Sequence, residues 1–384
     1  MSPAERSGFD LHMMRIALRL AARGLGRTAP NPAVGAVIAD EHTGEIIARG
    51  WTAPGGRPHA ETEAIADAGE RARGATIYVT LEPCSHYGVT APCADAIVNA
   101  GLARAVCAIE DPDPRVAGRG LNRLRQAGLA VERGVLAEAA HWVTAGHILR
   151  VTERRPLVTV KLALDGAGGV PRGETGKPSW VTGEGARAAG HLMRARSDAI
   201  LVGRRTVLDD DPLLTCRLPG LEARSPVRVV LARDPSGLEK SKLAQTARVY
   251  PLWVICAEGA DASALAAAGA QIMPTRLVGG ELWLPGVLEA LVARGITRLL
   301  VEGGPATWGA FSRAGLIDEA VLFHARGTDG AELSPTGAIS AMSRYISTAG
   351  FDIYDRRTIG DDDMLALRRQ WHRGNRRSQP EPKP

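Results

Sequence analysis

The sequence is poor in aromatic residues and lacks long apolar runs. Phenylalanine, tryptophan and tyrosine together make up 4% of its 384 residues. Proteins that bind single-stranded nucleic acid stack the bases on aromatic side chains along a basic groove, so this composition argues against that class. No apolar run approaches the roughly 20 residues of a transmembrane helix. The opening residues also lack a basic segment followed by an apolar one, and we therefore expect a cytoplasmic protein without a membrane partner.

Cysteine is scarce and its count is odd. The five cysteines stand at positions 84, 93, 107, 216 and 256. In a chain without an export signal, a small and odd number of cysteines argues against a disulfide framework. We expect these residues to be reduced thiols or metal ligands.

Most of the chain carries no net charge. The formal net charge is +5, and residues 368–384 contain six basic residues against one acidic residue. Residues 1–367 are therefore neutral in sum. We predict a neutral folded body with a basic, disordered tail over residues 371–384. A solvated tail is the simpler interpretation, and contact of the tail with RNA is the alternative.

The length favours two domains, because a single hydrophobic core rarely grows beyond about 250–300 residues. In the first half, apolar residues at three- and four-residue spacing predict a helix over residues 10–24, with Asp10 as its N-cap and Gly24 at its end. Strands are predicted over 34–39, 45–51, 75–81 and 103–109, and helices from His59 onward and over 91–100. This alternation predicts a layered α/β domain over residues 1–150.

The alternation resumes after a charged segment, residues 151–156, which ends in proline and marks a boundary. Strands are predicted over 157–164, 199–202, 227–231, 252–256 and 298–301, and helices over 184–195, 260–270 and 305–314. We predict a second α/β domain over residues 156–370.

Three residues form the pattern of a catalytic zinc site. His59 precedes a predicted helix, and Cys84 and Cys93 each follow a proline. Imidazole and thiolate are ligands that zinc prefers, and three protein ligands leave a fourth position for water. The metal lowers the pKa of that water towards neutrality. Glu61 can reach the water without binding the metal, and is suited to carry its proton to a departing amine.

A closed structural zinc site, or two unrelated buried cysteines, is the alternative. The usual deaminase pattern places two residues between its cysteines, whereas eight residues separate Cys84 from Cys93. The position of Glu61 beside the ligand His59 favours the catalytic interpretation, because a closed structural site has no use for that carboxylate.

Several motifs of the first half fall in a fixed order. They are Asn31-Pro32-x-Val34-Gly35, His59-Ala60-Glu61, Thr80-Leu81-Glu82-Pro83-Cys84-Ser85-His86, Pro92-Cys93 and Asp111-Pro112-x-Pro114-x-Val116-Ala117-Gly118-x-Gly120. Over residues 10–135 this order resembles the bifunctional deaminase/reductase family of riboflavin biosynthesis, including the longer loop between the two cysteines. The resemblance implies a cytidine-deaminase-like α/β/α fold for the first domain.

The resemblance also implies a substrate and further binding residues. The substrate would be 2,5-diamino-6-ribosylamino-4(3H)-pyrimidinone 5′-phosphate, a small pyrimidine nucleotide that releases its exocyclic amine as ammonia. Asn31 would hold the ring, while His86 and the loop over residues 111–120 would lie near the sugar-phosphate. Loop capping and turn formation are the alternative roles of His86 and this loop.

The second half is similar to the reductase part of the same family. Its matching segments are Lys161, Trp180-Val181-Thr182-Gly183, the run from Asp198 to Gly203, Thr206-Val207-Leu208, Asp210-Asp211-Pro212-x-Leu214-Thr215 and Glu302-Gly303-Gly304-Pro305. The resemblance implies a dihydrofolate-reductase-like α/β fold that binds NADPH and reduces the ribosyl group to a ribityl chain. A glycine pair before a helix also lets a phosphate approach backbone amides.

Carried over position by position, the resemblance assigns two groups of residues. Those near the cofactor would be Lys161, Trp180, Thr206, Asp210, Gly303 and Gly304. Those near the substrate would be Arg194, Leu214, Arg217 and Glu302, with the arginines suited to its phosphate. A solvated helix face is the alternative for Arg194, and a core anchor is the alternative for Trp180.

Three segments depart from the family pattern. Lys161-Leu162-Ala163-Leu164 is followed directly by Asp165-Gly166, Pro178-Ser179 precedes Trp180, and Phe323-His324-Ala325-Arg326-Gly327 replaces a proline-containing strand end. A second hypothesis therefore keeps the deaminase and treats the second domain as a weakened or altered reductase. A third is a nucleic-acid deaminase with an RNA-binding second domain, which the neutral body disfavours. The sequence leaves a homo-oligomer open.

Overall fold

The computed structural model describes residues 3–88, 90–170, 182–326 and 334–370. These residues form two large β-sheets, one in each half of the chain. The predicted tail over 371–384, the Pro178-Ser179 pair and Trp180 lie outside the described residues. None of the described helices is both long enough and apolar enough to cross a membrane.

The first half is a five-stranded sheet between two layers of helices. The helices are α1 (Pro3–Gly24), α2 (Ala60–Ala68), α3 (Cys93–Asn99), α4 (Arg119–Gln126) and α5 (Ala137–Glu153). The strands are β1 (Gly35–Ala39), β2 (Ile46–Trp51), β3 (Thr76–Val79), β4 (Arg104–Cys107) and β5 (Ala130–Arg133), in the order β2-β1-β3-β4-β5. Strand β1 is antiparallel to both neighbours, whereas β3, β4 and β5 run parallel.

Side chains that alternate along β1 explain the two helical layers. Ala36 and Ile38 share a buried cluster with side chains of α2, α3 and α4. Val37 and Ala39 point to the other face and share a cluster with α1 and α5. Because successive side chains of a strand face opposite ways, a strand that is apolar throughout is covered on both sides, and the predicted α/β/α layering follows.

Asp10 is not the N-cap of α1, and that prediction is wrong. The helix begins at Pro3, so Asp10 lies inside it and is only 4% exposed. Its carboxylate accepts hydrogen bonds from Tyr78 Oη at 2.8 Å and from Arg104 Nη2 at 2.7 Å. Arg104 also pairs with Glu41. Asp10 therefore joins α1 to the centre of the sheet through a buried ionic network.

The second half is a nine-stranded sheet. Its strands are β6 (Leu157–Leu164), β7 (Ala199–Gly203), β8 (Val227–Leu231), β9 (Leu252–Ala257), β10 (Gln271–Thr275), β13 (Arg298–Val301), β14 (Glu319–Ala325), β15 (Phe351–Ile359) and β16 (Asp362–Arg369), and a separate small ribbon contains β11 (Leu277–Val278) and β12 (Glu281–Leu282). The helices are α6 (Glu184–Ala195), α7 (Arg204–Asp210), α8 (Lys242–Gln245), α9 (Ser263–Ala268), α10 (Leu284–Ala293), α11 (Pro305–Arg313) and α12 (Pro335–Ser343).

The large sheet has the order β10-β9-β8-β7-β13-β6-β14-β16-β15. The seven strands β10, β9, β8, β7, β13, β6 and β14 run parallel to one another. Strand β16 is antiparallel to β14, and the edge strand β15 is antiparallel to β16. The predicted strands over 157–164, 227–231 and 298–301 match β6, β8 and β13. The helix predicted over 260–270 is shorter, because Gly269 ends α9 in the left-handed conformation, with φ 104°.

The two halves pack directly on one another at two glycines. A Cβ atom on Gly26 would lie 2.6 Å from the carbonyl oxygen of Ala195, and one on Gly146 of α5 would lie 2.6 Å from the carbonyl oxygen of Thr297. Gly26 also has a φ of 74°, where other residues are strained. The predicted domain limits, 1–150 and 156–370, stay a prediction, and α5 runs past residue 150 to Glu153.

Candidate active sites

His59, Cys84 and Cys93 come together at the ends of three separate elements. His59 is the N-cap of α2, Cys93 is the first residue of α3, and Cys84 follows the end of β3. The Nδ1 atom of His59 lies 3.2 Å from Cys93 Sγ and 3.7 Å from Cys84 Sγ. All three ligand atoms lie within 4.8 Å of one another. One nitrogen and two sulfurs at this separation fit a tetrahedral zinc ion, for which metal–ligand distances are about 2.0–2.3 Å.

Hydrogen bonds in this cluster favour the ionised form of Cys84, whereas the hydrogen bond with Cys84 and burial raise the pKa of Cys93. The backbone amide of Cys93 donates to Cys84 Sγ at 3.3 Å. The hydrogen bond from the Cys93 side chain lowers the pKa of Cys84 to about 4. The hydrogen bond with Cys84 raises the pKa of His59. A thiolate is therefore available where zinc needs one.

Glu61 lies beside the three ligand atoms in the first turn of α2. It is 4% exposed, and burial raises its pKa to about 7. A carboxyl group that titrates near neutral pH can both accept and donate a proton. The structure therefore places a proton-transfer group next to the cluster without making it a fourth ligand.

Asn31 and His86 lie on segments that adjoin the same cluster. The side-chain amide of Asn31 donates to the carbonyl oxygen of Gly56 at 3.1 Å, in the loop that leads to His59. His86 follows Cys84 by two residues, and its buried Nδ1 atom has no hydrogen-bond partner among the described residues.

Glu82 organises the loop over residues 111–120, a role that the sequence did not reveal. One carboxylate oxygen accepts the amides of Asp111 at 3.2 Å and Gly118 at 2.9 Å. The other accepts the amides of Gly120 at 2.8 Å and Leu121 at 3.2 Å. Glu82 is 3% exposed, so the end of β3 is locked to the start of α4. The sequence did contain a signal for this role, because Glu82 is a carboxylate that follows the apolar segment of β3 and directly precedes Pro83-Cys84.

Asp111 connects this loop to the helix α5. Its Oδ1 atom lies 2.9 Å from His147 Nε2, and both side chains are buried. The same oxygen accepts the amide of Asp113 at 2.9 Å. This places the 111–120 loop between the zinc-ligand cluster and the junction of the two halves.

In the second half, Arg194 and Glu302 form a bidentate pair. Arg194 on α6 donates from Nε and Nη2 to the two carboxylate oxygens of Glu302, each at 2.8 Å, and from Nη1 to the carbonyl oxygen of Thr215 at 3.0 Å. Its side chain is 15% exposed, so it does not lie on a solvated helix face. Burial would raise the pKa of Glu302, but the charge and hydrogen bonds of Arg194 hold it at about 2.

Lys161, Leu214 and Arg217 surround this pair. Burial lowers the pKa of Lys161, against the charge of Glu302, and its Nζ atom lies 5.7 Å from the centre of the Phe323 ring. Leu214 is buried with a φ of 58°, an uncommon and strained conformation for leucine. Arg217 is exposed. The structure thus gathers the predicted substrate residues Leu214 and Arg217, and the predicted cofactor residue Lys161, around the Arg194–Glu302 pair.

Four of the predicted cofactor residues lie at the carboxyl ends of two neighbouring parallel strands, whereas Lys161 lies within β6 and Trp180 is outside the described residues. Thr206 and Asp210 belong to α7, which follows β7, and Gly303 and Gly304 lead from β13 into α11. A Cβ on Gly304 would meet nothing within 4 Å, so the start of α11 is open. An open helix N-terminus next to a glycine pair fits a phosphate group.

The departing segments have ordinary local structure where they are described. Asp165 closes a turn, since its Oδ1 atom accepts the amides of Ala167 at 3.0 Å and Gly169 at 2.7 Å. His324 continues β14 and pairs in register with Leu164 and Asp363. Gly327 lies outside the described residues.

Two domain families match the chain. Residues 8–109 match the family described as the cytidine and deoxycytidylate deaminase zinc-binding region. Residues 157–337 match the family described as the RibD C-terminal domain. The matches fall on the two halves that contain the two candidate sites.

Whole proteins match across both halves. The riboflavin biosynthesis protein RibD of Aquifex aeolicus is 38% identical over 82% of this chain and 86% of its own length. That of Escherichia coli is 36% identical over 93% of this chain and 99% of its own length. The crystal structure of a diaminohydroxyphosphoribosylaminopyrimidine deaminase/5-amino-6-(5-phosphoribosylamino)uracil reductase from Thermotoga maritima is 32% identical, with a TM-score of 0.79 over 95% of this chain and 100% of that one.

Proposed function

The chain belongs to the RibD family of bifunctional deaminases and reductases of riboflavin biosynthesis, and on that premise we propose which residues carry out the two reactions. The predicted function and fold class are confirmed, with a zinc-binding deaminase domain followed by a reductase domain. Neither the altered-reductase hypothesis nor the nucleic-acid deaminase has support from the comparisons. A cytoplasmic location and a homo-oligomer stay predictions.

We assign zinc binding to His59, Cys84 and Cys93. When bound, the ion supplies the acidity that lets a water molecule attack the ring carbon at neutral pH. Glu61 accepts the proton of that water on its carboxylate and returns it to the departing amine, which leaves as ammonia. Asn31 holds the pyrimidinone ring, and His86 binds the sugar-phosphate.

The observation that supports this assignment is the buried carboxyl of Glu61 beside the three ligand atoms. The test is Glu61→Gln against Glu63→Gln, an exposed carboxylate on the same helix. We expect E61Q to lose ammonia release by about 10²-fold or more, as for removal of a general acid–base group, while it keeps bound zinc and NADPH oxidation with the deaminated intermediate. Ammonia release at the wild-type rate by E61Q would refute the role of Glu61.

In the second domain we propose that NADPH binds across α7 and the start of α11. Its phosphates would meet the Gly303–Gly304 turn, and Lys161, Trp180, Thr206 and Asp210 would complete the cofactor site. When bound, NADPH supplies the hydride that opens the ribosyl ring to a ribityl chain.

The substrate of reduction would lie against Leu214, Arg217 and the Arg194–Glu302 pair. Arg194 keeps Glu302 ionised and oriented, so that its carboxylate can bind the ribose hydroxyls, and Arg217 is left for the phosphate. Titration of the purified protein with NADPH and NADH, followed by nicotinamide fluorescence, tests the cofactor. Binding of NADH alone would refute the NADPH assignment.

A further inference from the structure

Three arginines at the junction of the two halves have no acidic partner among the residues that the structure describes. Arg27 precedes the Asn31 loop, Arg196 follows α6, and Arg224 lies before β8. Arg27 and Arg196 are exposed and Arg224 is half-buried. Within the part of the chain that the structure describes, none of the three guanidinium groups forms a hydrogen bond or ion pair. We call these residues the junction arginines.

The junction arginines lie close together although they come from both halves. A Cβ on Gly26 would lie 2.9 Å from the carbonyl carbon of Arg196, so the segment with Arg27 touches the end of α6. Burial and then the charge of Arg27 lower the pKa of Arg224. Arg196 is exposed as a whole residue, but partial burial of its guanidinium group and the charges of Arg298, Arg224 and Arg357 lower its pKa. Like charges held together without a counter-charge favour an anion between them.

One end of this surface reaches the deaminase site. The carbonyl oxygen of Arg27 accepts the amide of Gly55 at 2.8 Å. Gly55 belongs to the loop that leads to His59, and Asn31 is hydrogen bonded to the next residue of that loop, Gly56. The backbone of Arg27 is therefore hydrogen bonded to the loop that leads to the zinc ligand His59, and the ring-binding Asn31 is hydrogen bonded to the same loop.

The other end reaches the reductase site. Ser225, next to Arg224, accepts the amide of Cys216 on its hydroxyl oxygen at 3.1 Å. The amide of the next residue, Arg217, donates to His191 of α6 at 3.3 Å. Arg194, one turn further along α6, binds the carbonyl oxygen of Thr215 in the same segment. Basic side chains thus continue from the junction to the carboxylate of Glu302.

We propose that the junction arginines are a phosphate-binding surface that guides the phosphorylated product of deamination from the first active site to the second. The proposal rests on the proposed function, in which one reaction changes the ring, the other changes the ribose, and neither changes the 5′-phosphate. The same dianion must leave one site and enter the other. A surface of one sign can raise an encounter rate by about 10- to 1,000-fold.

The test is a triple variant in which each junction arginine is replaced by glutamine (R27Q/R196Q/R224Q). Stopped-flow measurements start from the diamino substrate and record ammonia release and NADPH oxidation on one time axis. We expect the lag between the two signals to lengthen about tenfold or more, the low end of the steering range. The kcat of each step, measured with its own substrate in excess, should not change.

A matched control removes three exposed arginines elsewhere, R15Q/R19Q/R248Q. This variant has the same net charge as the test variant and should keep the wild-type lag. Raising the salt concentration should lengthen the lag of the wild-type protein, because exposed charges are screened over about 8–10 Å at physiological ionic strength. The salt series needs no variant, so a triple variant that fails to fold does not remove the test.

Other outcomes overturn the proposal. An unchanged lag in the triple variant, or a lag in the wild type that salt does not change, would show that the intermediate is not guided by charge. A raised KM for NADPH with an unchanged lag would assign the surface to the cofactor phosphate. Loss of binding to single-stranded RNA with an unchanged lag would make it a nucleic-acid surface. Failure of the wild type to release ammonia would instead refute the proposed function.

Discussion

Replacement of Glu82 by glutamine should free the 111–120 loop. The carboxylate accepts four backbone amides, two on each oxygen. Glutamine keeps one acceptor oxygen and turns an NH₂ group towards the other two amides. Each buried amide left without an acceptor costs about 1–3 kcal/mol. Two such amides give about 2–6 kcal/mol for E82Q, although the side chain keeps its size and shape.

Hydrogen exchange followed by mass spectrometry measures this effect locally. A loss of about 2 kcal/mol speeds exchange about 30-fold, so peptides covering residues 111–121 of E82Q should exchange at least that much faster. The matched control is Glu63→Gln, an exposed carboxylate whose replacement should change stability by less than about 0.5 kcal/mol. The KM of deamination should rise more than kcat falls, because Glu82 positions the loop and does not touch the reacting atoms. Exchange in E82Q at the wild-type rate would refute the account of the loop.

Three further variants test other contacts. Arg104→Met leaves the buried carboxylate of Asp10 without its cation and should lower the free energy of unfolding by about 3–5 kcal/mol, whereas Arg71→Met, in an exposed pair, should change it by less than about 1 kcal/mol. Equal losses would contradict the burial argument. The pKa of Glu302 is held at about 2, below its ordinary 4.5, by Arg194, so the stability that this pair adds is complete above pH 4.5 and is lost as the pH falls towards 2. The stability difference between wild type and Glu302→Gln should shrink over that interval, and a constant difference down to pH 2 would refute it. Gly26→Ala should lower the midpoint of thermal unfolding, because its Cβ would lie 2.6 Å from a carbonyl oxygen and its φ is strained; an unchanged midpoint would contradict the close approach.

Short sequence patterns predicted the secondary structure of those segments whose conformation is determined by residues close to them in the sequence. The predicted limits of β6 agree with the structure, because its mainly apolar run follows a charged segment and ends before Asp165-Gly166. The three predicted zinc ligands, which lie within 4.8 Å of one another in the structure, stand out in the sequence because His59 begins a helix and each cysteine follows a proline. Prediction and structure agree best for short segments whose own residues determine where the strand or helix begins and ends.

Long-range pairs account for what the sequence did not show. Aspartate is a residue type that often caps helices. Asp10 instead lies in the core, where it pairs with Arg104, 94 residues away in the sequence. The amides that bind Glu82 come 29 to 39 residues later. Arg194 and Glu302 are 108 residues apart, so no spacing rule could show that the arginine is already engaged by a carboxylate.

The helix α5 limits how this gene could be divided. Trp142, Ala145 and Leu149 of α5 form one buried cluster with Leu157, the first residue of the second sheet. A chain cut after residue 150 would release a deaminase whose last helix presents that apolar stripe to water. If the two enzymes were expressed separately, the apolar stripe of α5 would need polar substitutions to remain in water. The sequence of this helix therefore suits a chain in which the two domains are joined.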